Sequence, residues 1–289
     1  MTHSGAAQRL RTLLAAPGIV SAPGAPDSVT ARLVRAAGFP AVYMTGFGAT
    51  ASRLGTPDIG LLTQTEMTEH ARNMTRAVDI PVIADADTGY GGPSNIERTV
   101  REYVQAGVAA IHLEDQIAPK RCGQMAGIRL IDAEENAARL RCAVAARGDD
   151  DLLVIGRTDA ISTAGPEEAI RRARLYQEAG VDLVFVDGIK HIREIEAVAA
   201  AIEGPKVVSL VDGNETTRLT ATDLEQLGFD IVLYAVTALF TATRAVSDAL
   251  GHLARTGTPR GGPAQHTYSE FTDLVDLPHH QALDDRYGA

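Results

Sequence analysis

The sequence alternates regularly between short apolar runs and longer amphipathic segments, and this alternation restricts the fold more than any other feature. Eight runs are short and rich in β-branched residues, as buried parallel strands are. They span residues 18–22, 41–44, 81–84, 109–113, 152–156, 183–186, 206–210 and 231–234. Segments with helical periodicity separate most of them, at 28–37, 65–78, 95–106, 133–146, 167–179, 192–202 and 222–227. Eight such units predict an α/β fold, a (β/α)8 TIM barrel, with an open doubly wound sheet as the alternative.

The length of the chain fits one barrel with a short extension. A (β/α)8 barrel commonly needs about 250 residues, and the chain has 289. We therefore assign residues 1–256 to the barrel, and residues 257–289 to a linker and a C-terminal helical extension of the same domain. Residues 257–265 are rich in Gly, Pro and Thr, which indicates the linker. The segment 268–277 has apolar residues at helical spacing, which predicts one short helix packed on the barrel or on a neighbouring subunit.

Composition and charge exclude several classes of partner. The formal net charge of -10 would repel a phosphate backbone, so we expect no nucleic-acid partner. No apolar run reaches the roughly 20 residues of a membrane span. The first residues also lack the order of charged, apolar and small segments that marks a secretory signal. Because there are only two cysteines as well, the sequence predicts a cytoplasmic protein without a membrane partner.

Acidic residues follow two neighbouring strands, at the end of the barrel where such folds bind substrates. Asp85 and Asp87 are two positions apart and therefore share a face, and Glu114 can reach the same point from the next strand. Oxygen ligands without Cys suit Mg2+, with Mn2+ also possible. The alternative is that these acids cap helices or pair with arginines. His112 shares the face of Glu114, and we expect a hydrogen-bonded histidine inside the barrel, or else one that supports the metal site.

A thiol follows two cations in a glycine-containing loop. Cys122 comes directly after Lys120 and Arg121, and adjacent cations predict a lowered pKa for the thiol. Gly123 and Gly127 would permit the loop to move over a site. Cys122 is therefore a candidate proton donor or acceptor on a mobile loop. The alternative is a surface cysteine in a basic turn.

Two further strand ends carry groups that can bind an anion. Arg157 ends the fifth strand, so it either pairs with Asp159 or another acid, or binds a substrate carboxylate or a developing oxyanion. Tyr43 and Thr45 flank the end of the second strand, and Gly46 follows with an accessible backbone N–H. Glycines after a strand can also serve as turn residues alone.

Together these motifs resemble those of the isocitrate lyase and phosphoenolpyruvate mutase superfamily. The resemblance covers nearly the whole chain, through YMTG at 43–46, LGTPD at 54–58, DADTGYG at 85–91, HLEDQ at 112–116, KRCG at 120–123 and RTDA at 157–160. It implies a (β/α)8 barrel that binds Mg2+ and a small α-oxocarboxylate. It also implies a homotetramer, a dimer of dimers in which C-terminal helices are exchanged between subunits.

The resemblance implies roles for individual residues. Asp85 would bind the metal directly, whereas Asp87 and Glu114 would act largely through water. The catalytic residues would be Tyr43, Lys120, Cys122 and Arg157, with Lys120 and Cys122 on a gating loop. The substrate would be held by Thr45, Gly46, Phe47, Asp58, Gly123, Gln124, Arg157, Asp187 and Ser209.

Three of these positions depart from the pattern of the family's lyase branch. Gln124 replaces a histidine, Asp187 replaces a glutamate, and Ser209 replaces an asparagine. The half of the site that binds metal and enolate therefore resembles the family more than the half that contacts the leaving fragment. For this reason the motifs do not identify the substrate.

The predicted activity is Mg2+-dependent cleavage of a carbon–carbon bond in a 2-hydroxy dicarboxylate of the substituted malate type, or in a related substrate of the methylisocitrate type. Tyr43 would take the hydroxyl proton, pyruvate or a related α-oxo acid would leave, and Cys122 would protonate the other fragment. Alternatives are a phosphonate-transforming enzyme, such as a carboxyphosphonoenolpyruvate mutase, and an oxaloacetate-type decarboxylase. A barrel that binds an oxoacid without catalysis is a further alternative.

Overall fold

The computed structural model describes residues 5–288, so residues 1–4 of the predicted barrel and residue 289 of the predicted extension lie outside the described part. The strands are β1 Val20–Ala25, β2 Val42–Met44, β3 Val82–Asp85, β4 Ala110–Glu114, β5 Leu153–Thr158, β6 Leu183–Val186, β7 Lys206–Leu210 and β8 Ile231–Tyr234. All neighbours are parallel, and β8 closes the barrel by pairing with β1. The predicted (β/α)8 barrel is confirmed. The alternative, an open doubly wound sheet, is wrong. An open sheet has two edge strands with one neighbour each, whereas every strand here has two neighbours.

Helices surround the barrel and extend the chain beyond it. They are α1 Ala6–Ala15, α2 Ser28–Ala36, α3 Gly46–Leu54, α4 Gln64–Ala77, α5 Pro93–Ala106, α6 Ala133–Arg147, α7 Ile161–Glu178, α8 Ile192–Ala201, α9 Ala221–Gln226, α10 Thr237–Thr256, α11 Tyr268–Leu274 and α12 Leu277–Tyr287. Many begin at a side-chain cap, such as Asp27 before α2 and Thr63 before α4. Such caps satisfy backbone N–H groups that a helix leaves free at its start.

Side chains alternate between two packed layers along each strand. Tyr43 and Ile83 belong to the cluster inside the barrel, whereas Val42 and Met44 pack against the surrounding helices. The inner cluster also contains Leu10 of α1, which covers the amino-terminal end of the barrel. The polar carboxyl ends of the strands therefore form the accessible end.

The structure differs from the sequence prediction at several element boundaries. The apolar pattern does not predict α1, α3 or α10. The first turn of α3 contains Gly46 and Gly48, so these glycines are helical rather than turn residues. The helix predicted at 268–277 is instead two helices, α11 and α12, because Asp276 adopts a left-handed φ of 67° between them. Strand β5 continues to Thr158, which places Arg157 within the sheet.

The long helix α10 has an uncovered apolar side. It contains no buried residue, although Phe240, Val246, Leu250 and Leu253 are exposed to between 43% and 59%. The last three are spaced by four and three residues and so lie on one side of the helix. Among the described residues, no helix has both the length and the apolar character needed to cross a membrane.

Candidate active site

A narrow cavity of about 50 Å³ lies among the carboxyl ends of the strands. The predicted site residues that line it are Tyr43, Thr45, Phe47, Asp58, Asp85, Cys122, Gly123, Gln124, Arg157, Asp187 and Ser209. The other predicted residues lie directly behind this wall. Gly46 and Asp87 contact Asp85, Glu114 contacts Arg157, and Lys120 contacts Asp58. The structure thus brings together residues from all parts of the barrel sequence.

Lys120 is buried between two carboxylates. Its Nζ lies 2.7 Å from Asp58 Oδ2 and 2.7 Å from Asp87 Oδ1. Burial disfavours the ammonium charge, but Asp87 and its acidic neighbours outweigh burial and raise the pKa of Lys120 well above its usual value. Lys120 lines a larger outer cavity of about 420 Å³ instead of the narrow one. It therefore acts on the narrow cavity through Asp58.

Asp85 is oriented by two backbone amides. Gly46 N donates to Oδ2 at 3.2 Å, and Asp87 N donates to Oδ1 at 2.9 Å. Gly46 is the first residue of α3, so the partial positive charge of the helix N-terminus also favours the carboxylate. Burial opposes ionisation, but the neighbouring basic groups, His112 first among them, lower the pKa of Asp85 to about 2. Asp85 is therefore an ionised carboxylate with a fixed direction.

The other two predicted metal ligands are buried carboxyl groups whose ionised forms are disfavoured by burial and would be stabilised by a bound cation. Both carboxylate oxygens of Glu114 are buried and lack a hydrogen-bond partner among the described residues. Burial raises the pKa of Glu114 well above its usual value and that of Asp87 to about 6. Within residues 5–288, no three His, Cys, Asp or Glu side chains form a ready-made metal cage. The arrangement fits Mg2+ held by one or two carboxylates and several waters, which would also satisfy Glu114.

Arg157 is paired with carboxylates and also lines the cavity. Its Nη2 lies 2.8 Å from Asp159 Oδ1 and 2.6 Å from Asp187 Oδ2, and its Nε lies 3.4 Å from Glu114 Oε2. The guanidinium carbon is 5.4 Å from the centre of the Phe185 ring. The predicted pairing of Arg157 with Asp159 is therefore confirmed, and its binding of a substrate anion stays a prediction. These contacts fix a buried positive charge in the cavity wall.

Tyr43 and His112 form a hydrogen-bonded pair inside the barrel. The Tyr43 hydroxyl is 3.0 Å from His112 Nε2, and His112 Nδ1 is 3.6 Å from Asp85 Oδ1. Burial lowers the pKa of His112 to about 4 and raises that of Tyr43 well above its usual value. At neutral pH the predicted base is therefore a phenol, with a neutral imidazole available to accept its proton.

Cys122 lies in the cavity wall with its proton retained. Its backbone N donates to Asp58 O at 3.0 Å, which holds the loop against the barrel. Burial raises the pKa of the thiol to about 12, so the lowered pKa expected from sequence is wrong. The reason is spatial, because Lys120 is engaged by carboxylates and the Arg121 side chain is exposed. A thiol that keeps its proton is suited to donate it.

Gly123 marks the closest approach of the loop to the arginine. A Cβ at this position would lie 2.6 Å from Asp159 Oδ1, 2.6 Å from Asp187 Oδ2 and 2.9 Å from Arg157 Nη2. No other residue fits without displacing these groups. The shorter side chain of Asp187 still reaches Arg157, so this departure preserves an ion pair.

Three residues that organise the site are not identified by sequence reasoning. Gln116 hydrogen-bonds to the backbone of Arg121, Asp115 accepts four hydrogen bonds beneath Arg157, and Asn214 donates to Gln124. Asp115 and Gln116 belong to the HLEDQ motif, which is the signal that could have found them. Asn214 lies in a loop without a comparable signal.

Comparison with known proteins identifies the family. The family model for phosphoenolpyruvate phosphomutase matches residues 10–254. The chain belongs to this family. It is 42% identical over 282 residues to 2,3-dimethylmalate lyase of Eubacterium barkeri, which covers 97% of this chain and 98% of that protein. The superfamily inferred from the motifs is therefore confirmed, and the family member described here is an enzyme.

Solved structures of family members agree over almost the whole length. The oxaloacetate acetylhydrolase complex with 3,3-difluorooxalacetate has a TM-score of 0.94 and 34% identity, and covers 99% of this chain and 98% of that one. Phosphonopyruvate hydrolase with oxalate and Mg2+ has a TM-score of 0.88 and 32% identity, and covers 99% of each chain. The family thus combines one barrel with chemistry on several small oxoacids.

Proposed function

We propose that this enzyme is a Mg2+-dependent carbon–carbon lyase that acts on a 2-hydroxy dicarboxylate and releases pyruvate or a related α-oxo acid. The observation that carries this proposal is the convergence of three groups in one narrow cavity. Asp85 is an oriented anion, Arg157 is a buried cation, and Cys122 is a protonated thiol. The named activity of the Eubacterium barkeri relative supports the same reaction class.

Asp85 would hold Mg2+ directly, and Asp87 and Glu114 would act largely through water, with Mn2+ as a possible substitute. When bound, the cation would stabilise negative charge on the substrate 2-oxygen and its neighbouring carboxylate. The orphaned Glu114 oxygens support this assignment. The Mg2+ complex of phosphonopyruvate hydrolase supports it independently.

The protein would orient the α-oxo acid half from two sides. The N-terminus of α3 would hold a carboxylate through the backbone N–H of Phe47, beside Gly46, whose own N–H already donates to Asp85, and Thr45 caps this helix. Arg157 would stabilise charge on the opposite side as it develops. Asp58, held by Lys120, would complete this half of the site.

The bond-breaking step needs one proton acceptor and one proton donor. We propose that Tyr43 takes the 2-hydroxyl proton while its own proton passes to His112 Nε2. The C2–C3 bond then breaks, C2 becomes a carbonyl carbon, and the electron pair remains on C3. The Cys122 thiol protonates C3; afterwards His112 releases its extra proton to solvent, and solvent returns a proton to sulfur. This relay does not require a free phenolate.

The test is release of α-oxo acid from a panel of substituted malates, oxaloacetate and phosphonopyruvate in the presence of Mg2+. Cys122→Ser should lower kcat by about 100-fold or more, the usual contribution of a positioned proton donor. It should leave the affinity for Mg2+ and oxalate unchanged. Cys142→Ser, on α6, is the matched control and should retain activity. Undiminished turnover in Cys122→Ser would exclude the acid role.

A second candidate function is supported by the likeness to phosphonopyruvate hydrolase. The same metal and arginine could stabilise an enolate formed by cleavage or migration of a carbon–phosphorus bond. An oxaloacetate-type decarboxylase would use the same half of the site. Turnover of phosphonopyruvate or oxaloacetate with no reaction of malates in the panel would favour these alternatives.

We also propose a homotetramer, a dimer of dimers in which α11 and α12 are exchanged between subunits. The exposed apolar side chains of α10 support an intersubunit contact. The two free cysteines support a cytoplasmic location. Leu250→Glu should lower the mass measured by light scattering, whereas Ala245→Glu, on another side of α10, should not. A monomeric wild-type protein would contradict this proposal.

A further inference from the structure

Gln124 has an unused hydrogen-bond donor in the cavity wall. Its Nε2 is buried and has no hydrogen-bond partner among the described residues, whereas its Oε1 accepts from Asn214 Nδ2 at 3.1 Å. Asn214 Nδ2 also contacts the backbone oxygen of Ile189 at 3.4 Å. Because a backbone carbonyl can only accept, this second contact orients the Asn214 amide. The oxygen of Gln124 must therefore face Asn214, and its NH2 group is left without a protein acceptor.

The cavity has little positive charge available for a second substrate carboxylate. Its wall contains Asp58, Asp85 and Asp187, and Arg157 is the one Lys or Arg among its lining residues. Arg157 is already in contact with Asp187 and Asp159. A histidine in place of Gln124 could become cationic, but an amide cannot.

The rest of the cavity wall is mostly apolar. It includes Phe47, Phe185, Val211, Ala235 and Val236, and these side chains offer no group to a polar substituent. A long, doubly charged fragment would therefore meet apolar surface or other carboxylates.

From the donor, the charge and the apolar wall together, we propose that Gln124 and Ser209, which also lines the cavity, form a neutral donor pair for a single carboxylate. This inference rests on the proposed lyase function and specifies its substrate class. The substrate is a dicarboxylate of the substituted malate type, and a tricarboxylate of the methylisocitrate type is excluded. A further carboxylate on the leaving fragment would be buried without a cation, which is strongly unfavourable. Gln124 contacts the substrate, and Asn214 is a positioning residue that fixes its amide.

The test compares 2,3-dimethylmalate with 2-methylisocitrate in the presence of Mg2+. Wild-type enzyme should show a kcat/KM at least about 100-fold higher for the dicarboxylate, the scale expected when a buried charge lacks a partner. Gln124→Leu should lower kcat/KM for the dicarboxylate about 10- to 100-fold through loss of a hydrogen bond to a charged group. Most of this loss should appear in KM. Asn214→Ala should cause a smaller change in the same direction.

Two controls separate specificity from folding. Gln105→Leu makes the same substitution at an exposed position of α5 and should match wild type. The affinity for oxalate in the presence of Mg2+, measured by calorimetry, should be unchanged in Gln124→Leu. Oxalate mimics only the pyruvate half of the substrate, which Gln124 does not contact. Gln124→His should raise the relative rate with 2-methylisocitrate at pH 6, where imidazole is protonated.

The outcomes distinguish this inference from the function on which it rests. A wild-type preference for 2-methylisocitrate, or unchanged kinetics in Gln124→Leu, would overturn the substrate assignment and leave the lyase function intact. A wild-type enzyme that releases no α-oxo acid from either compound would overturn both.

Discussion

The side-chain amide of Gln116 forms two hydrogen bonds with the backbone of Arg121, one in each direction. Arg121 N donates to Oε1 at 2.9 Å, and Nε2 donates to Arg121 O at 2.8 Å. Nε2 also donates to Asp159 Oδ2 at 3.0 Å, and Asp159 pairs with Arg157. One buried side chain therefore links the loop that carries Cys122 to the arginine of the site.

Gln116→Leu should loosen this loop without unfolding the barrel. It removes three hydrogen bonds, and opening of the loop lets water reach the freed polar groups, which avoids most of the roughly 1–3 kcal/mol that each would cost if it stayed buried. We expect kcat/KM to fall about 10- to 100-fold. Hydrogen exchange at residues 119–127 should become faster, while the melting temperature changes little. Gln226→Leu, at the exposed end of α9, is the control. An unchanged rate of hydrogen exchange at residues 119–127 in Gln116→Leu would show that Gln116 does not hold the loop.

Gly46→Ala should disrupt metal binding. A Cβ at this position would lie 2.3 Å from Asp85 Oδ2, so the carboxylate would have to move away from the helix N-terminus. We expect the affinity for Mg2+, measured by calorimetry, to fall at least about tenfold, since one hydrogen bond to a charged group is worth ~1.5–3 kcal/mol. Gly92→Ala is a matched control, because nothing lies within 4 Å of its added Cβ. Equal Mg2+ affinity in both variants would show that Asp85 does not need this contact.

Alkylation of Cys122 should be slow and should keep accelerating at alkaline pH. Burial raises the pKa of its thiol to about 12, and the thiolate is the reactive form. As pH rises toward that value the thiolate fraction grows tenfold per unit, so the rate should show no plateau between pH 7 and 10. An ordinary thiol would level off near pH 8.5. The rate with iodoacetamide in a Cys142→Ser background measures this, and a plateau below pH 9 would disprove the raised pKa.

Asp115→Ala should destabilise the fold. Asp115 accepts hydrogen bonds from Thr158 Oγ1 at 2.6 Å, Asp159 N at 3.0 Å, Arg172 Nη1 at 3.0 Å and Tyr176 OH at 2.7 Å. Removing one partner of a buried ion pair typically costs about 3–5 kcal/mol. Urea denaturation should show a loss of this size in the free energy of unfolding. Asp149→Ala, at an exposed site, should be nearly neutral. A loss well below about 3 kcal/mol in the free energy of unfolding of Asp115→Ala would mean that water replaces the carboxylate as a hydrogen-bond partner.

The parts of the site that sequence could predict are those that depend on local spacing. Asp85 and Asp87 lie at a strand end because an apolar run precedes them, and Arg157 lies in the wall for the same reason. The pKa of Cys122 could not be predicted, because it depends on burial and on where Lys120 and Arg121 point. The roles of Gln116 and Asn214 were also not predicted, because Gln116 joins its loop to Asp159, 43 positions away, and Asn214 reaches Gln124, 90 positions away.

By itself, the sequence determined that this protein folds as a (β/α)8 barrel with acidic groups at the carboxyl ends of its strands. This follows because strand and helix periodicities are local, and eight repeats leave few topologies. Only the tertiary structure decided which carboxylates face Lys120 and Arg157, that the Glu114 oxygens are buried without a hydrogen bond among the described residues, and how closely Gly123 approaches the site. Those properties follow from electrostatic and steric interactions, which depend on distances in space rather than on separation along the chain.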